Sequence, residues 1–173
     1  VSHTSCLYPM SILNGEGAHC EFTGVTFAGK GQYLDTGSKV VHNAPHTTSN
    51  INSKSISKDG GVCIYRGSVV INECAEGSKS NVSCESLMLD EQSQSDTIPA
   101  IVIKNDNVDL GHEAKIGRIS DEAIFYLMSR GLSEDEARAM LVRGFVDPVS
   151  KALPLEYAVE MNNLINLELK GSM

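Results

Sequence analysis

Residues 108–117 read VDLGHEAKIG, and within them His112 and Glu113 stand side by side. An imidazole nitrogen and a carboxylate oxygen make a candidate metal-ligand pair. The same pair reads equally well as a strand-end histidine beside a solvated glutamate. Neighbours on a strand point to opposite faces, so the pair converges only if the chain breaks, and Gly111 is where a break would fall. Cys84, in SNVSCESLMLD, is the candidate soft ligand or sulfur carrier, with a plain core thiol as its other reading. Cys6, Cys20, Cys63 and Cys74 belong to no CxxC or zinc spacing and read as small core residues. His42 and His46 flank the Pro45 turn of VVHNAPHTTS as loop histidines, or as a soft-metal site if a cysteine lies near. Arg66 reads as an ion-pair residue or an anion contact. The chain has no GxxxxGK[ST], GxSxG or HExxH motif. Nothing in it resembles a self-sufficient enzyme.

The elements that must position these groups fall into two stretches. Up to about residue 119, short runs alternate apolar with polar or small residues: CEFTGVTFAG, SKVVHN, SNINSKSIS, GVCIYRGSVVIN, SNVSCESLML and IPAIVIKN. That is the period of a strand. The runs are separated by the turn sequences AGKGQ, KDGG, AEGSKS and NDN. A sandwich, a barrel and a β-solenoid all give this signal, and the pattern does not choose between them. After Arg118 the period becomes helical. Ser120 caps a helix over SDEAIFYLMSRG, with Ile124, Leu127 and Met128 on one face and Gly131 as its stop. SEDE at 133–136 is a capping box opening a second helix, striped by Ala137, Met140 and Leu141 and ended by Gly144. Pro154 starts a third, LPLEYAVEMNNLINLELK. Its apolar residues, from Leu155 to Leu167, cover more than one face. They fit a small helical bundle docked on the strands, or a surface that meets another protein.

Bulk properties narrow the class. A length of 173 residues suits one domain, or one and a small appendage. A net charge of −8 and a pI near 5.0 argue against a nucleic-acid binder. No apolar run approaches the roughly 20 residues that span a bilayer. The start, VSHTSCLYPM, lacks an initiator methionine and the charged and apolar regions of a signal peptide, so the chain reads as a piece of something longer. Five cysteines without regular spacing suit reduced thiols in a cytoplasm or a plastid stroma rather than a disulfide framework.

Several stretches together resemble one family. The run GEGAHCEFTGVTFAGKGQYLDTGSKVVHNAPHTTSNINSKSISKDGG, then YRGSVVIN, SDTIPAIVI, LGHEAKIGRISDEAIFYLMSRGLSEDEARAMLVRGFVDP and LPLEYAVEMNNLINLELKGS are similar to the SufB/SufD family. These are scaffold proteins of the Suf iron–sulfur assembly machinery. GHEA and the cysteine of SNVSC follow the SufB pattern. The resemblance implies a mainly β fold, with right-handed parallel β-helix rungs over 1–119 and a C-terminal α-helical domain over 120–173. It implies a scaffold rather than an enzyme, pairing through its β-helix with SufD or a second SufB. The helices would hold the ATPase SufC. It also implies a transient iron–sulfur cluster at the SufB–SufD interface, with Cys84, His112 and Glu113 as this chain's contributions. The family's N-terminal domain and an upstream sulfur-receiving cysteine have no counterpart here. The isolated piece is therefore expected to carry no cluster, and its raw N-terminal rung invites a homodimer. The interval from Cys84 to His112 reads as about two solenoid turns, which would bring all three groups to one outer wall. The alternatives are an interaction module without chemistry and a solenoid enzyme that cleaves polysaccharides. Aromatics at 5%, no Trp and no carboxylate cluster weigh against the enzyme.

Overall fold

The computed structural model describes residues 2–170. Nine strands come first: β1 (Thr4–Leu7), β2 (Met10–Leu13), β3 (His19–Ala28), β4 (Tyr33–His42), β5 (Thr48–Ser57), β6 (Val62–Ile71), β7 (Lys79–Met88), β8 (Gln94–Ile103) and β9 (Asp109–Arg118). Successive strands alternate between two sheets. One holds β1 and β2 beside β4, then β6 and β8; the other runs β3-β5-β7-β9. The pairings are parallel and in register, as in His19 beside Thr48 and Thr48 beside Lys79. The result is a β-solenoid of about four turns, which decides the question the pattern left open. Strand residues missing from the pattern-based reading are β1, β2, the first half of β4, the first four residues of β8 and β9 beyond Leu110.

Stacking explains the composition. Inner positions repeat from rung to rung, so like stacks on like: Phe22, Ile51 and Val82 in one row, Gly24, Ser53 and Cys84 in the next. The apolar core gathers Leu13, Val40, Ile51, Tyr65, Val69, Ile71, Ala75, Val82 and Cys84. At the corners, Asn72 donates to the Asn43 side chain at 2.6 Å and Asn43 to Asn14 at 2.8 Å, a ladder that satisfies turn amides between rungs. Another corner repeats left-handed backbone at Gly17, His46 and Gly77. His46 is thus a turn residue. Its ring lies over Gly77, where a Cβ would come within 2.5 Å of Nδ1.

His42 is not a loop residue. It ends β4, is fully buried, and is held at both nitrogens: Nδ1 by Thr47 Oγ1 at 2.8 Å and Nε2 by Ser49 Oγ at 3.0 Å. Those hydroxyls pass the contact to Ser78 and Ser80 on the next rung, at 2.7 and 2.8 Å. Alternation places it there, since His42 falls in the inner series with Val40.

The chain divides into two compact units, Val1–Ile116 and Gly117–Met173. In the second, α1 (Asp121–Ser129) opens on Ser120, whose Oγ accepts from the Ala123 amide. The Ser133–Glu136 capping box opens α2 (Glu134–Ala152), and α3 is Leu155–Lys170. Gly144 does not end α2, which runs on through Pro148. The row Val142, Val146 and Val149 is buried, and burying it outweighs one weak helix former and one lost hydrogen bond. Met128 and Met140, expected on buried stripes, are more than 40% exposed.

Burial lowers the basicity of His42, so the unfolded chain takes up a proton there more readily than the folded one. Its stabilising effect is complete above about pH 6.5 and declines as pH falls below that value. The melting temperature should therefore drop between about pH 7 and pH 5. His42→Gln should melt lower than the parent at pH 7.5, with a shallower acid slope. Equal slopes in the two proteins would rule out His42 as the source.

Candidate metal-binding pair on the last rung

Cys84 lies on the inner face of β7, stacked on Ser53, and is 2% exposed. Burial alone pushes its thiol up to about 11, so it carries its proton at neutral pH. β9 lies beside β7: the Asp109 amide donates to the Ser78 carbonyl at 3.0 Å. Val108 and Leu110 pack against the core and fix which face of this strand turns inward. Alternation then carries His112 inward as well, with Nε2 4.0 Å from Cys84 Sγ. His112 is nonetheless exposed, because among the described residues no strand follows β9 in its sheet.

Glu113 takes the opposite face. Its carboxylate pairs with Lys115 Nζ at 2.9 Å, both side chains being mostly exposed. The expected break at Gly111 does not occur, since β9 is continuous through it. A Cβ on Gly111 would sit 3.1 Å from Asn81 Oδ1, so the glycine makes room for that amide instead. The expected two turns between Cys84 and His112 are one: 28 positions carry the chain once around. The structure thus brings Cys84 and His112 together on the inner side of the last rung and turns Glu113 outward.

The thiol–imidazole separation suits shared coordination. Ligands about 2.3 Å (sulfur) and 2.1 Å (nitrogen) from a tetrahedral metal lie about 3.6 Å apart. Two ligands are what the pair supplies. Among the described residues, no three His, Cys, Asp or Glu side chains gather as a metal cage.

The remaining candidates have local roles. Arg66 is a structural ion-pair residue, gripping Asp35 through Nε at 2.8 Å and an NH2 group at 3.0 Å. Cys63 is buried and donates to the Ile56 carbonyl, while Cys20 packs against the core. Cys6 and Cys74 are exposed, and Cys74 donates to the Asn43 carbonyl at 2.9 Å. Sequence reasoning passed over Lys54, Glu85 and Lys115, which share the outer face with Glu113. Lys54 Nζ meets Glu85 at 2.8 Å, and the field of Glu85 adds to that of Glu113 in raising Lys115. The signal was present in HEAK, since Glu113 and Lys115 are two apart and so share a face.

Most of the chain matches known proteins. Residues 1–145 match the family described as SUF system FeS cluster assembly, SufBD core domain. The chain is 54% identical over 166 residues to the iron–sulfur cluster assembly protein SufB of Bacillus subtilis, covering 96% of this chain and 36% of that protein. Iron–sulfur cluster assembly SufBD family proteins of Staphylococcus saprophyticus and Staphylococcus epidermidis match at the same identity and coverage. The chain therefore spans 36% of the length of these relatives. Among the described residues, no helix is long and apolar enough to cross a membrane.

A buried, protonated thiol reacts slowly. At pH 7.5, iodoacetamide should label Cys6 and Cys74 at least about tenfold faster than Cys84, and all five cysteines at similar rates in denaturant. Mass spectrometry of the peptides reads this directly. Equal labelling of Cys84 in the native chain would contradict its burial.

Proposed function

The chain belongs to the SufB/SufD core family of iron–sulfur cluster assembly proteins, and from that premise we propose that it forms the part of a scaffold subunit on which a nascent cluster is held. The observation that carries this reading is the approach of Cys84 Sγ to His112 Nε2 at the exposed edge of the last rung. In it, iron and sulfide are cargo rather than resident cofactor. Cys84 supplies a soft thiolate once its proton is displaced by metal, and the imidazole supplies a borderline nitrogen. A pair of ligands with access to solvent binds less tightly than a four-cysteine cage, which suits a product that must leave. Glu113 belongs to the same proposed site as the carboxylate on the opposite face of the strand.

A two-ligand site needs completion from another chain. SufD, or a second SufB, meeting the solenoid is the proposed source. The helical unit is the proposed dock for the ATPase SufC. Its support is apolar exposure among the described residues: Leu155 is 75% exposed, Phe125 74% and Tyr157 68%, with Leu164 and Leu167 also in the open. Bacterial relatives and five free cysteines favour a cytoplasmic setting.

Anaerobic addition of iron and sulfide to the full-length scaffold with its partners tests the site. Cys84→Ser should abolish the thiolate-to-iron absorbance, and His112→Ala should reduce it severalfold. Unchanged absorbance in Cys84→Ser would sink the reading. Replacing Tyr157 and Leu164 by Asp should cut ATPase capture by at least about tenfold, because each buries a charge in an apolar contact. Capture at the parental level would remove the helices from the interface.

A further inference from the structure

Cys84 Sγ and His112 Nε2 come from the neighbouring strands β7 and β9 and stand 4.0 Å apart. Glu113 is not a third donor, because it faces outward and pairs with Lys115 at 2.9 Å. The inner row of β9 offers no other: it runs Val108, Leu110, His112, Ala114 and Ile116, the last 48% exposed. On β7 the neighbours of Cys84 on the same wall are Val82 and Ser86. Among the described residues, no three His, Cys, Asp or Glu side chains gather. A tetrahedral metal takes four ligands, and with bonds of about 2.3 Å to sulfur and about 2.1 Å to nitrogen it holds the two donors about 3.6 Å apart. At the observed 4.0 Å the same bonds subtend about 130° at the metal. Shorter bonds, which go with fewer ligands, open that angle further. Donor number and donor spacing both suit an ion of low coordination number.

Charge points the same way. Cys84 is 2% exposed and belongs to the core cluster with Tyr65, Val69 and Val82. A divalent ion on one thiolate leaves a positive charge against that core, and no inner carboxylate of β9 offsets it. A monovalent ion on one thiolate and one neutral imidazole makes a neutral group, which escapes that penalty. We propose that the Cys84–His112 pair is a Cu(I) site that one chain completes by itself. Cu(I) is a soft closed-shell ion that thiolate favours, and a pair of ligands satisfies it. On binding, the Cys84 thiol gives its proton to water, the sulfur forms the bond to copper, and His112 Nε2 adds its lone pair. Copper enters and stays as Cu(I), so no electron moves. With both donors taken, iron has no ligand left on this wall, and copper blocks the site. The inference rests on the same pair as the proposed scaffold site, but it needs neither a partner chain nor sulfide.

Anaerobic titration of the 173-residue chain with Cu(I), against the chromogenic Cu(I) chelator bicinchoninate, tests it. Cys6→Ser and Cys74→Ser together form the background, because they remove the exposed thiols. One Cu(I) per chain should be withheld from the chelator. Cys84→Ser should release it, His112→Ala should weaken retention by at least about tenfold, and Glu113→Ala should leave retention unchanged. X-ray absorption at the copper edge should show sulfur and nitrogen donors at bonds shorter than the tetrahedral values. Parental retention in Cys84→Ser or in His112→Ala would overturn the proposal, the second because it would leave copper on a lone thiol. So would equal losses in His112→Ala and Glu113→Ala. Ser53 already fills the position stacked on Cys84, so serine suits this row, and the exposed His112 supplies a variant that leaves the core untouched. Copper retained by the single chain, with cluster absorbance in the full scaffold independent of Cys84, would defeat the scaffold reading alone. Cluster absorbance that needs Cys84, with no copper retained by the single chain, would defeat the copper site alone.

Discussion

Parallel strands stacked in register are the constraint from which the other features follow. Once every rung repeats at about the same chain length, contacts such as Asn43 to Asn14 and Ser49 to Ser80 join residues 29 and 31 positions apart. Each inner or outer position then meets its counterpart above and below at about 4.8 Å. That single spacing turns side-chain alternation into rows. It makes serine rows, an asparagine ladder and a charged row out of residues that look scattered along the chain. It also sets Cys84 beside His112, because one circuit of the solenoid returns the strand to the same wall.

The same constraint creates the tension at the proposed site. An inner position is dry, and a dry thiol keeps its proton; Cys84 is raised to about 11 for this reason. A metal ligand must be a thiolate. In the interior of the stack that conflict has no remedy, and Cys63, buried and bound to a backbone carbonyl, illustrates an inert thiol. On the last rung the inner wall is covered from one side only. His112 faces inward yet remains exposed, with Nε2 4.0 Å from the sulfur. In the proposed site, metal binding would displace the thiol proton, which burial alone retains.

Strand periodicity and turn residues were legible because each depends on local chemistry. KDGG and NDN fall between strands, AEGSKS runs two residues into β7, and Ser120 and the Ser133–Glu136 box open helices as expected. Solenoid against sandwich was not legible, since the choice depends on which strand neighbours which, and resemblance rather than periodicity supplied the expectation. Gly144 misled because a helix is held by its buried face: Val142, Val146 and Val149 lie beyond any local rule for helix stops. His42 misled because proximity to Pro45 suggested a loop, whereas its place in the inner series of β4 decided its burial. At the site, alternation alone already said that His112 and Glu113 diverge. The expectation that they converge needed a break at Gly111, and the glycine proved to serve the Asn81 amide.

That divergence makes the edge strand informative. Two polar neighbours on one strand give the solenoid two different groups to present to Cys84, with register as the selector. In the register observed, the inner row beyond Gly111 is His112, Ala114 and Ile116, the last 48% exposed, so hydrophobic burial supports it only through one partly covered isoleucine. A row of charges on the solvent side of a sheet is usually a solubility feature worth a fraction of a kcal/mol per pair. Here the charges of Lys54, Glu85, Glu113 and Lys115 lie on the opposite face from the sulfur, and the inward placement of His112 follows from alternation with Val108 and Leu110.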